Sequence, residues 1–152
     1  MLKEIQEKLK NFILEYRENI DMPVVIVKRE HLLDVIKILY EDFNFKMLCD
    51  LTAVDWLNKK EKRFEVIYHL RNLDENKRIR IKIQLDENEE VDSITSIYKG
   101  ANWLEREVYD MFGIRFRNHP NLERILLWND FPGHPLRKDF FIRTEVPLPE
   151  NE

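Results

Sequence analysis

The first twenty residues carry apolar side chains with the period of an amphipathic helix. Between positions 2 and 20 these side chains recur at three- and four-residue steps, at Leu2, Ile5, Leu9, Phe12, Ile13, Tyr16 and Ile20. Such spacing places them on one side of a helix. The opposite side mixes lysine with glutamate, whereas a helix that binds anionic lipid favours a basic face. The pattern therefore predicts a helix over residues 2–20 that packs on a protein core.

A short strand and a second helix are predicted next. Asp21-Met22-Pro23 ends the first helix, and the apolar run "VVIV" at 24–27 predicts a short buried strand. Near residues 30–43 the helical period returns, with one face formed by Leu32, Ile36, Leu39, Tyr40 and Phe43.

The middle of the chain has the pattern of strands. Residues 47–54, 63–70, 78–85 and 91–98 are the predicted strands, and the polar loop "RNLDENK" suits a hairpin between the second and third. In 78–85 isoleucine and leucine alternate with polar residues, which predicts one buried and one wet face. The basic row on the wet face, Arg78, Arg80 and Lys82, is compatible with an anion site, but the pattern favours an open, solvated sheet face.

This order of elements favours an α+β fold. It lacks the regular strand–helix alternation of a doubly wound parallel sheet. We expect one domain overall: a two-layer α+β unit over residues 1–112, with helices on one face of a mixed β-sheet, and an irregular, extended arm over residues 113–152.

The last predicted helix, before Gly113, has a dense set of charges. Asn102 is a suitable cap, Glu105 would complete a capping box, and Gly113 suits the left-handed position after the helix. Arg106 and Asp110 are spaced for an i,i+4 ion pair. These contacts would explain most of the charged residues of this helix as structural, with no catalytic role.

Composition narrows the classes of function. A net charge of −4 and a pI near 5.7 argue against a general nucleic-acid binder. No uncharged apolar run approaches the roughly 20 residues that cross a bilayer, and the charged N-terminus does not resemble a signal peptide. The single cysteine, Cys49, excludes an internal disulfide and is expected to be buried and inert. The isolated glycines form no nucleotide-binding loop.

The segment after Gly113 is both apolar and irregular. Five of the six prolines lie there, so neither a long helix nor a central strand is expected. Its apolar residues are too many for a disordered tail and must pack against something else. Arginines interleaved with aromatics occur in single-stranded nucleic-acid sites and in protein interfaces; the acidic chain favours a protein partner.

A stand-alone metal-dependent enzyme is the main alternative. It would use Asp110, His119 and His134, with Asp139 as the alternative to Asp110. The histidines lack the H-x-x-x-H or H-E-x-x-H spacing that preorganises a zinc site, so the sequence favours a structural role for the segment.

Two motifs carry a resemblance to a known family. The run "EREVYDMFGIRFRNHPNLERILL" followed by "DFPGHPLRKDF" resembles the signature of the C-type subunit family of respiratory complex I, the proton-pumping NADH:quinone oxidoreductase. "LCDLTAVDW", "RFEVIYHL" and "SITSIYKGANW" extend the likeness over nearly the whole chain. Glu123 departs from the family pattern, which has a basic residue or proline there.

The resemblance implies a scaffold in a membrane-attached redox complex. Such a subunit binds no flavin, nicotinamide or iron–sulfur cluster, and docks on the large hydrogenase-like D-type subunit beside a small cluster-bearing subunit. It is cytoplasmic, peripheral to the inner face of the membrane, which it contacts only through the complex. Equivalent subunits serve in energy-converting hydrogenases and deazaflavin-dependent dehydrogenases.

The resemblance also implies which residues face the partner, although the electron donor and the quinone type stay open. The predicted partner-binding residues are Glu105, Arg106, Asp110, Phe116, His119, Arg124, Trp128, Phe131, His134, Arg137, Lys138, Asp139 and Phe140.

Overall fold

A computed structural model describes residues 1–141, 143 and 145–149. The helices are α1 (Leu2–Leu9), α2 (Leu32–Glu41), which follows a 3-10 turn at Arg29–His31, and α3 (Ala101–Phe112). The strands are β1 (Ile13–Arg17), β2 (Val24–Val27), β3 (Met47–Asp55), β4 (Phe64–Asn72), β5 (Lys77–Leu85), β6 (Val91–Asp92) and β7 (Phe116–Arg117). Within this part of the chain no helix is long and apolar enough to cross a bilayer.

Five strands form a mixed sheet in the order β1-β2-β5-β4-β3. Strands β2 and β5 run parallel, and the other neighbours are antiparallel. The predicted hairpin is β4–β5, with a register from Phe64 opposite Leu85 to Asn72 opposite Lys77. Asn76 takes a positive φ of 52° in its turn, a conformation that asparagine tolerates.

All three helices pack on the same side of this sheet. The register places Phe64, Val66, Tyr68 and Leu70 beside the alternating apolar residues of β5, and these side chains are buried. One continuous core joins them to residues of the helices, namely Ile5, Leu9, Leu32, Val35, Ile36, Leu39, Ala101, Val108, Met111 and Phe112. The fold is therefore the expected two-layer α+β arrangement, and period-two alternation in β5 has the predicted buried face.

The prediction of one helix over residues 2–20 is wrong. The helix ends at Leu9, residues 13–17 form edge strand β1, and Ile20 is fully exposed. Strand β1 pairs with β2 from Ile13–Val27 to Arg17–Val24. A longer helix would have left that edge of β2 without backbone partners, and unpaired buried backbone groups are costly.

The predicted strand over residues 91–98 is also largely wrong. Only Val91 and Asp92 pair, in parallel with Phe116 and Arg117 of β7. The chain then turns, because the amides of Ile97 and Tyr98 both donate to the Ile94 carbonyl. The apolar residues of this stretch still reach the core, but from a turn.

Glu105 does not complete a capping box. Helix α3 begins after Gly100, with no side-chain cap. The Glu105 carboxylate points inward instead: it accepts hydrogen bonds from the Ser93 hydroxyl and the Ile94 amide, both at 2.7 Å. Its side chain is fully buried, and burial raises its pKa from 4.5 to about 7 against the opposing effect of these hydrogen bonds. Glu105 thus ties α3 to the turn after β6.

Cys49 is exposed, so the expectation of a buried thiol is wrong. It lies in edge strand β3, where the pairing with β4 shifts register between Leu48 and Asp50. A bulge of this kind inserts one residue into the strand and changes the direction of its side chain. The apolar neighbours alone do not reveal that shift.

The buried Glu105 carboxyl predicts a specific dependence of stability on pH. Because its folded-state pKa lies above the unfolded-state value, its contribution is fully present below pH 4.5 and is lost as pH rises through about 7. The Glu105→Gln side chain stays neutral at every pH. We therefore expect the free energy of unfolding of this variant, relative to that of the unmodified chain, to rise by on the order of 3 kcal/mol between pH 4.5 and 7.5. Denaturant unfolding at several pH values measures this difference.

The matched control is Glu107→Gln, which changes an exposed residue of the same helix. Its stability profile is expected to follow that of the unmodified chain. Parallel profiles for Glu105→Gln and the unmodified chain would contradict the role assigned to Glu105.

Candidate partner-binding surface

The arm folds back over the end of α3 and is held there by Asp110. One carboxylate oxygen of this fully buried residue accepts hydrogen bonds from three consecutive amides, Ile125 (3.1 Å), Leu126 (2.8 Å) and Leu127 (3.0 Å). The other oxygen accepts from the Arg124 guanidinium at 2.8 Å. A segment without regular structure thereby has its backbone donors satisfied by one side chain.

The hydrogen bonds at Asp110 outweigh its burial. Burial acts to raise the pKa of this carboxyl, but the three amides and Arg124 favour the charged form and hold the pKa below its usual value. The resulting contribution to stability is present above the ordinary pKa and is lost as pH falls through the lowered value. At neutral pH Asp110 is therefore a charged anchor.

Arg124 closes the next loop of the arm. It donates to the carbonyls of Phe131 and Gly133, both at 3.0 Å, and its guanidinium lies 5.8 Å from the centre of the Phe131 ring. The ring of Phe131 packs edge-on to Trp128 at 5.1 Å and is stacked on Phe140 at 6.0 Å. Residues 124–140 are thus a folded loop rather than a free extension.

A second anchor joins the arm to the sheet. The buried Arg63, just before β4, donates to Asp55 at 3.0 and 3.1 Å and to Asp139 of the arm at 2.8 Å. Asp55 also accepts from the Lys138 amide at 2.8 Å. Burial acts to raise the pKa of Asp55, but Arg63 and the amides together lower it, so this carboxyl is charged as well. Glu87 bridges Arg63 and Arg137, each at 3.1 Å.

Gly113 allows the arm to approach α3 closely. Its φ of 74° is left-handed, as predicted, and its amide donates to the Tyr109 carbonyl at 2.8 Å. A Cβ atom here would lie 2.6 Å from His134 and 2.8 Å from Arg137. His134 in turn contacts the Asp110 carbonyl at 2.9 Å, and Arg137 donates to the Phe112 carbonyl at 2.6 Å. A larger residue would displace both contacts.

The predicted ion pair between Arg106 and Asp110 does not form. Arg106 donates to the carbonyls of Glu123 and Arg124 at 3.0 and 3.1 Å, and Asp110 binds Arg124 instead. A pair within one helix would have left the arm's carbonyls and amides without these partners, so the tertiary contacts prevail. Glu123 is the residue that departs from the family pattern, and it accepts the hydrogen bond from Arg106 through its backbone carbonyl.

His119 fixes the start of the arm. Its Nδ1 accepts from the Asn121 amide at 2.9 Å, and its Nε2 lies 3.0 Å from the Asn102 carbonyl, which assigns the proton to Nε2. The Nε2 atom is also 3.8 Å from the Glu105 carboxylate. His119 therefore joins the arm to the first turn of α3.

Most of the thirteen predicted partner-binding residues contact their own chain. Phe116 is buried in β7, and Glu105 binds Ser93 and Ile94, which lie outside the arm. The residues whose side chains hold the arm in place are Arg106, Asp110, His119, Arg124, His134, Arg137 and Asp139. Trp128, Phe131 and Phe140 are partly exposed, and Lys138 is exposed. Arg63, Asp55 and Glu87 were not singled out from the sequence, where no local pattern connects them to residues 137–139.

The residues of the alternative metal site are not brought together as ligands. Both Asp110 oxygens have hydrogen-bond donors, His134 contacts a backbone carbonyl, and His119 faces Asn102. Over residues 1–141, 143 and 145–149, no three histidine, cysteine or acidic residues are grouped as a metal site.

Large apolar side chains remain on the outside of the arm. We call Ile125, Leu126, Trp128, Phe131, Leu136 and Phe140 the arm surface. Leu126 is 63% exposed and Leu136 is 53% exposed, although their backbones are held by Asp110 and by the Met111 carbonyl. The arm surface is the apolar face of a fixed loop, the arrangement that protein interfaces use.

Asp110→Asn is expected to release the arm while the sheet stays folded. The amide group would face either the three backbone donors or Arg124 with a donor of its own, at a cost of about 3 kcal/mol. Native-state hydrogen exchange should show faster exchange at residues 125–127 and unchanged exchange in β4 and β5. Asp130→Asn, an exposed position in the same arm, is the control; equal protection in both variants would refute the anchor.

Comparisons with known proteins agree with this architecture. Residues 25–146 match the family described as respiratory-chain NADH dehydrogenase, 30 Kd subunit. The chain is 46% identical to the C-type subunit of the NADH-quinone oxidoreductase of Citrifermentans bemidjiense over 90% of this chain and 85% of the relative. It is 44% identical to that of Moorella thermoacetica over 87% of this chain and 88% of the relative.

A solved structure has the same fold. It is a chain from the membrane-bound sulfane sulfur reductase, described as an archaeal respiratory membrane complex. The TM-score is 0.78 at 28% identity, over 93% of this chain and 84% of the other. The matched residues include β3, β4, β5, α3 and most of the anchored arm, so the chain belongs to the respiratory-chain NADH dehydrogenase 30 Kd subunit family, whose relatives include the C-type subunits of NADH-quinone oxidoreductases.

Proposed function

We propose that the chain is a non-catalytic assembly subunit of a membrane-attached NADH:quinone oxidoreductase of the proton-translocating complex I type. Its arm surface docks on the large hydrogenase-like subunit, close to the small cluster-bearing subunit. The observation that carries this proposal is a set of exposed apolar side chains on a loop fixed by ion pairs to the buried side chains of Asp110 and Arg63. In this role the chain is peripheral to the cytoplasmic face of the membrane.

The fixed backbone favours tight docking. Ordering a loop during association costs free energy, and a loop that is already held in place avoids that cost. Asp110 and Arg63 hold the arm at two points, one at the end of α3 and one at the edge of the sheet. The energy from burying Leu126 and Leu136 is then available for binding.

The charged residues of the arm act mainly as positioning residues in this proposal. Arg124, Arg137 and Asp139 already have partners within the chain, so their removal would move the arm surface rather than delete a contact with the partner. Lys138 and Asp130 are exposed beside the apolar residues and suit the polar rim that surrounds an interface core.

A second complex of the same general kind is the other candidate. The similar structure belongs to a membrane-bound sulfane sulfur reductase, so chains of this fold also serve in a respiratory complex other than NADH-quinone oxidoreductase. The other assignment is therefore the equivalent subunit of an energy-converting hydrogenase or deazaflavin-dependent dehydrogenase complex. The arm surface would then dock on the corresponding large subunit. Purification of the intact complex and assay of its electron donor distinguish these assignments.

Charging the arm surface should block assembly without unfolding the chain. In Leu126→Lys/Leu136→Lys the new ammonium groups face solvent in the free chain but would be buried without partners in the complex. Because such burial costs several kcal/mol, we expect the yield of intact complex to fall at least tenfold. Native gel electrophoresis of the complex and thermal unfolding of the purified chain measure the two properties.

Leu73→Lys is the matched control, because Leu73 is 60% exposed in the β4–β5 turn and lies outside the arm surface. It should assemble normally. Normal assembly of the double variant, with an unfolding temperature equal to the control, would refute docking through the arm.

Metal analysis of the purified chain tests the alternative enzyme. Because Asp110 and His134 are used in hydrogen bonds, we expect far less than one ion per chain after dialysis. A stoichiometric transition metal lost on Asp110→Asn would favour the metal-dependent enzyme instead.

A further inference from the structure

A cleft remote in sequence from the arm lies at one end of the sheet. It has a volume of about 430 Å³ and lies where the β4–β5 hairpin meets the loop that enters β2. Its apolar walls are Leu2, Met22 and Pro23, and its charged groups come from Asp21, Arg71, Lys77 and Arg78. This volume is in the range that holds a small organic molecule.

Two arginines face each other across the hairpin at this cleft. Arg71 of β4 is directly opposite Arg78 of β5, so both side chains leave the same face of the sheet. Like charges in directly opposed positions are destabilising. The chain has 29 acidic residues against 25 basic ones, yet neither arginine is paired with a carboxylate among the described residues.

Both arginines have unused hydrogen-bond donors. Arg71 donates through Nη2 to the neutral side chain of Asn76 at 2.6 Å, while its buried Nε has no partner in the described structure. The structure shows no hydrogen bond or ion pair to the side chain of Arg78 among the described residues, so its guanidinium is available. Asp21, the carboxylate among the lining residues, is 3.4 Å from Arg80.

Another basic group on the same sheet face is neutralised internally. Lys82 lies 2.8 Å from the carboxylate of Glu65, and Lys60 lies 3.3 Å from it. Glu65 is buried beside these two lysines, so a carboxylate of the chain already neutralises their charge. The cleft at Arg71 and Arg78 differs because its lining carboxylate, Asp21, lies beside Arg80 and is paired with neither of these two arginines.

We propose that this cleft binds a phosphate group attached to a small organic molecule or to a lipid. Two guanidinium forks satisfy several oxygens of one phosphate, since their planar donors match its geometry. Lys77, now paired with Glu75 at 2.6 Å, adds a further positive charge at the rim. The organic part of the ligand packs on Leu2, Met22 and Pro23.

The test measures binding to the full chain of three probes. Inorganic phosphate and glycerol 3-phosphate are titrated calorimetrically, and phosphatidylcholine vesicles with and without phosphatidic acid are tested by sedimentation. We expect saturable binding at one site per chain. Arg78→Gln and Arg71→Gln should each weaken it about tenfold or more, because each removes charge-assisted hydrogen bonds.

Arg115→Gln is the matched control, since Arg115 is an exposed arginine that does not line the cleft. It should bind as the unmodified chain does. Thermal unfolding without ligand checks the fold: Arg78→Gln is expected to be as stable as the unmodified chain or more so, because it relieves the cross-strand repulsion. The soluble probes should raise the unfolding temperature of the unmodified chain but not that of Arg78→Gln.

Comparison of the soluble probes with the vesicles identifies the source of the phosphate. Binding of the soluble probes with the expected variant pattern supports a free phosphate ester, and binding of phosphatidic acid vesicles alone with that pattern supports a lipid headgroup. The proposal is overturned if no probe binds, if Arg78→Gln binds normally, or if Arg115→Gln is weakened equally.

Discussion

The buried carboxylate of Asp110 is the interaction on which the shape of the arm depends. A chain segment with many prolines cannot satisfy its backbone groups in a helix or a sheet, so other partners must do so. Asp110 supplies one oxygen to three consecutive amides and the other to Arg124. Arg124 then holds the carbonyls of Phe131 and Gly133, so one buried charge organises the irregular chain over residues 124–133.

This anchoring explains how an apolar arm can have two sides. Leu122 and Leu127 pack against the core of the α+β unit, while Leu126 and Leu136 point outward. The apolar side chains of the arm were expected to pack against another surface, and part of that surface is the α+β unit of the same chain. What remains exposed is a smaller, ordered surface, and it is this surface that our proposal assigns to the large hydrogenase-like partner.

The residues that carry the family resemblance mainly hold the arm in a fixed position on α3 and the sheet. Gly113 lets His134 and Arg137 approach α3, and Arg63 pairs with both Asp55 and Asp139, the latter 76 positions away in the sequence. These contacts orient the arm relative to the sheet. The scaffold role that we propose would need such fixed geometry, because an interface is effective only when its apolar residues and their rim are presented together.

The elements whose side chains repeat with a clear period could be predicted from the amino-acid sequence. Alternation in 78–85 predicted a strand with one buried face, the polar loop predicted the hairpin, and Gly113 predicted the end of α3. These features depend on local backbone geometry, which neighbouring residues reveal. The motifs in α3 and the arm also predicted the family.

The partners of the charged groups, in contrast, depend on the three-dimensional fold. Local spacing assigned Arg106 to Asp110 and Glu105 to a helix cap, whereas the fold joins Asp110 to the arm and Glu105 to the turn after β6. Residues 13–17 became a strand because β2 required a neighbour, and Cys49 turned outward at a bulge. Each outcome depends on partners distant in sequence, and a buried charge or an unpaired strand edge is costly enough to override local preference.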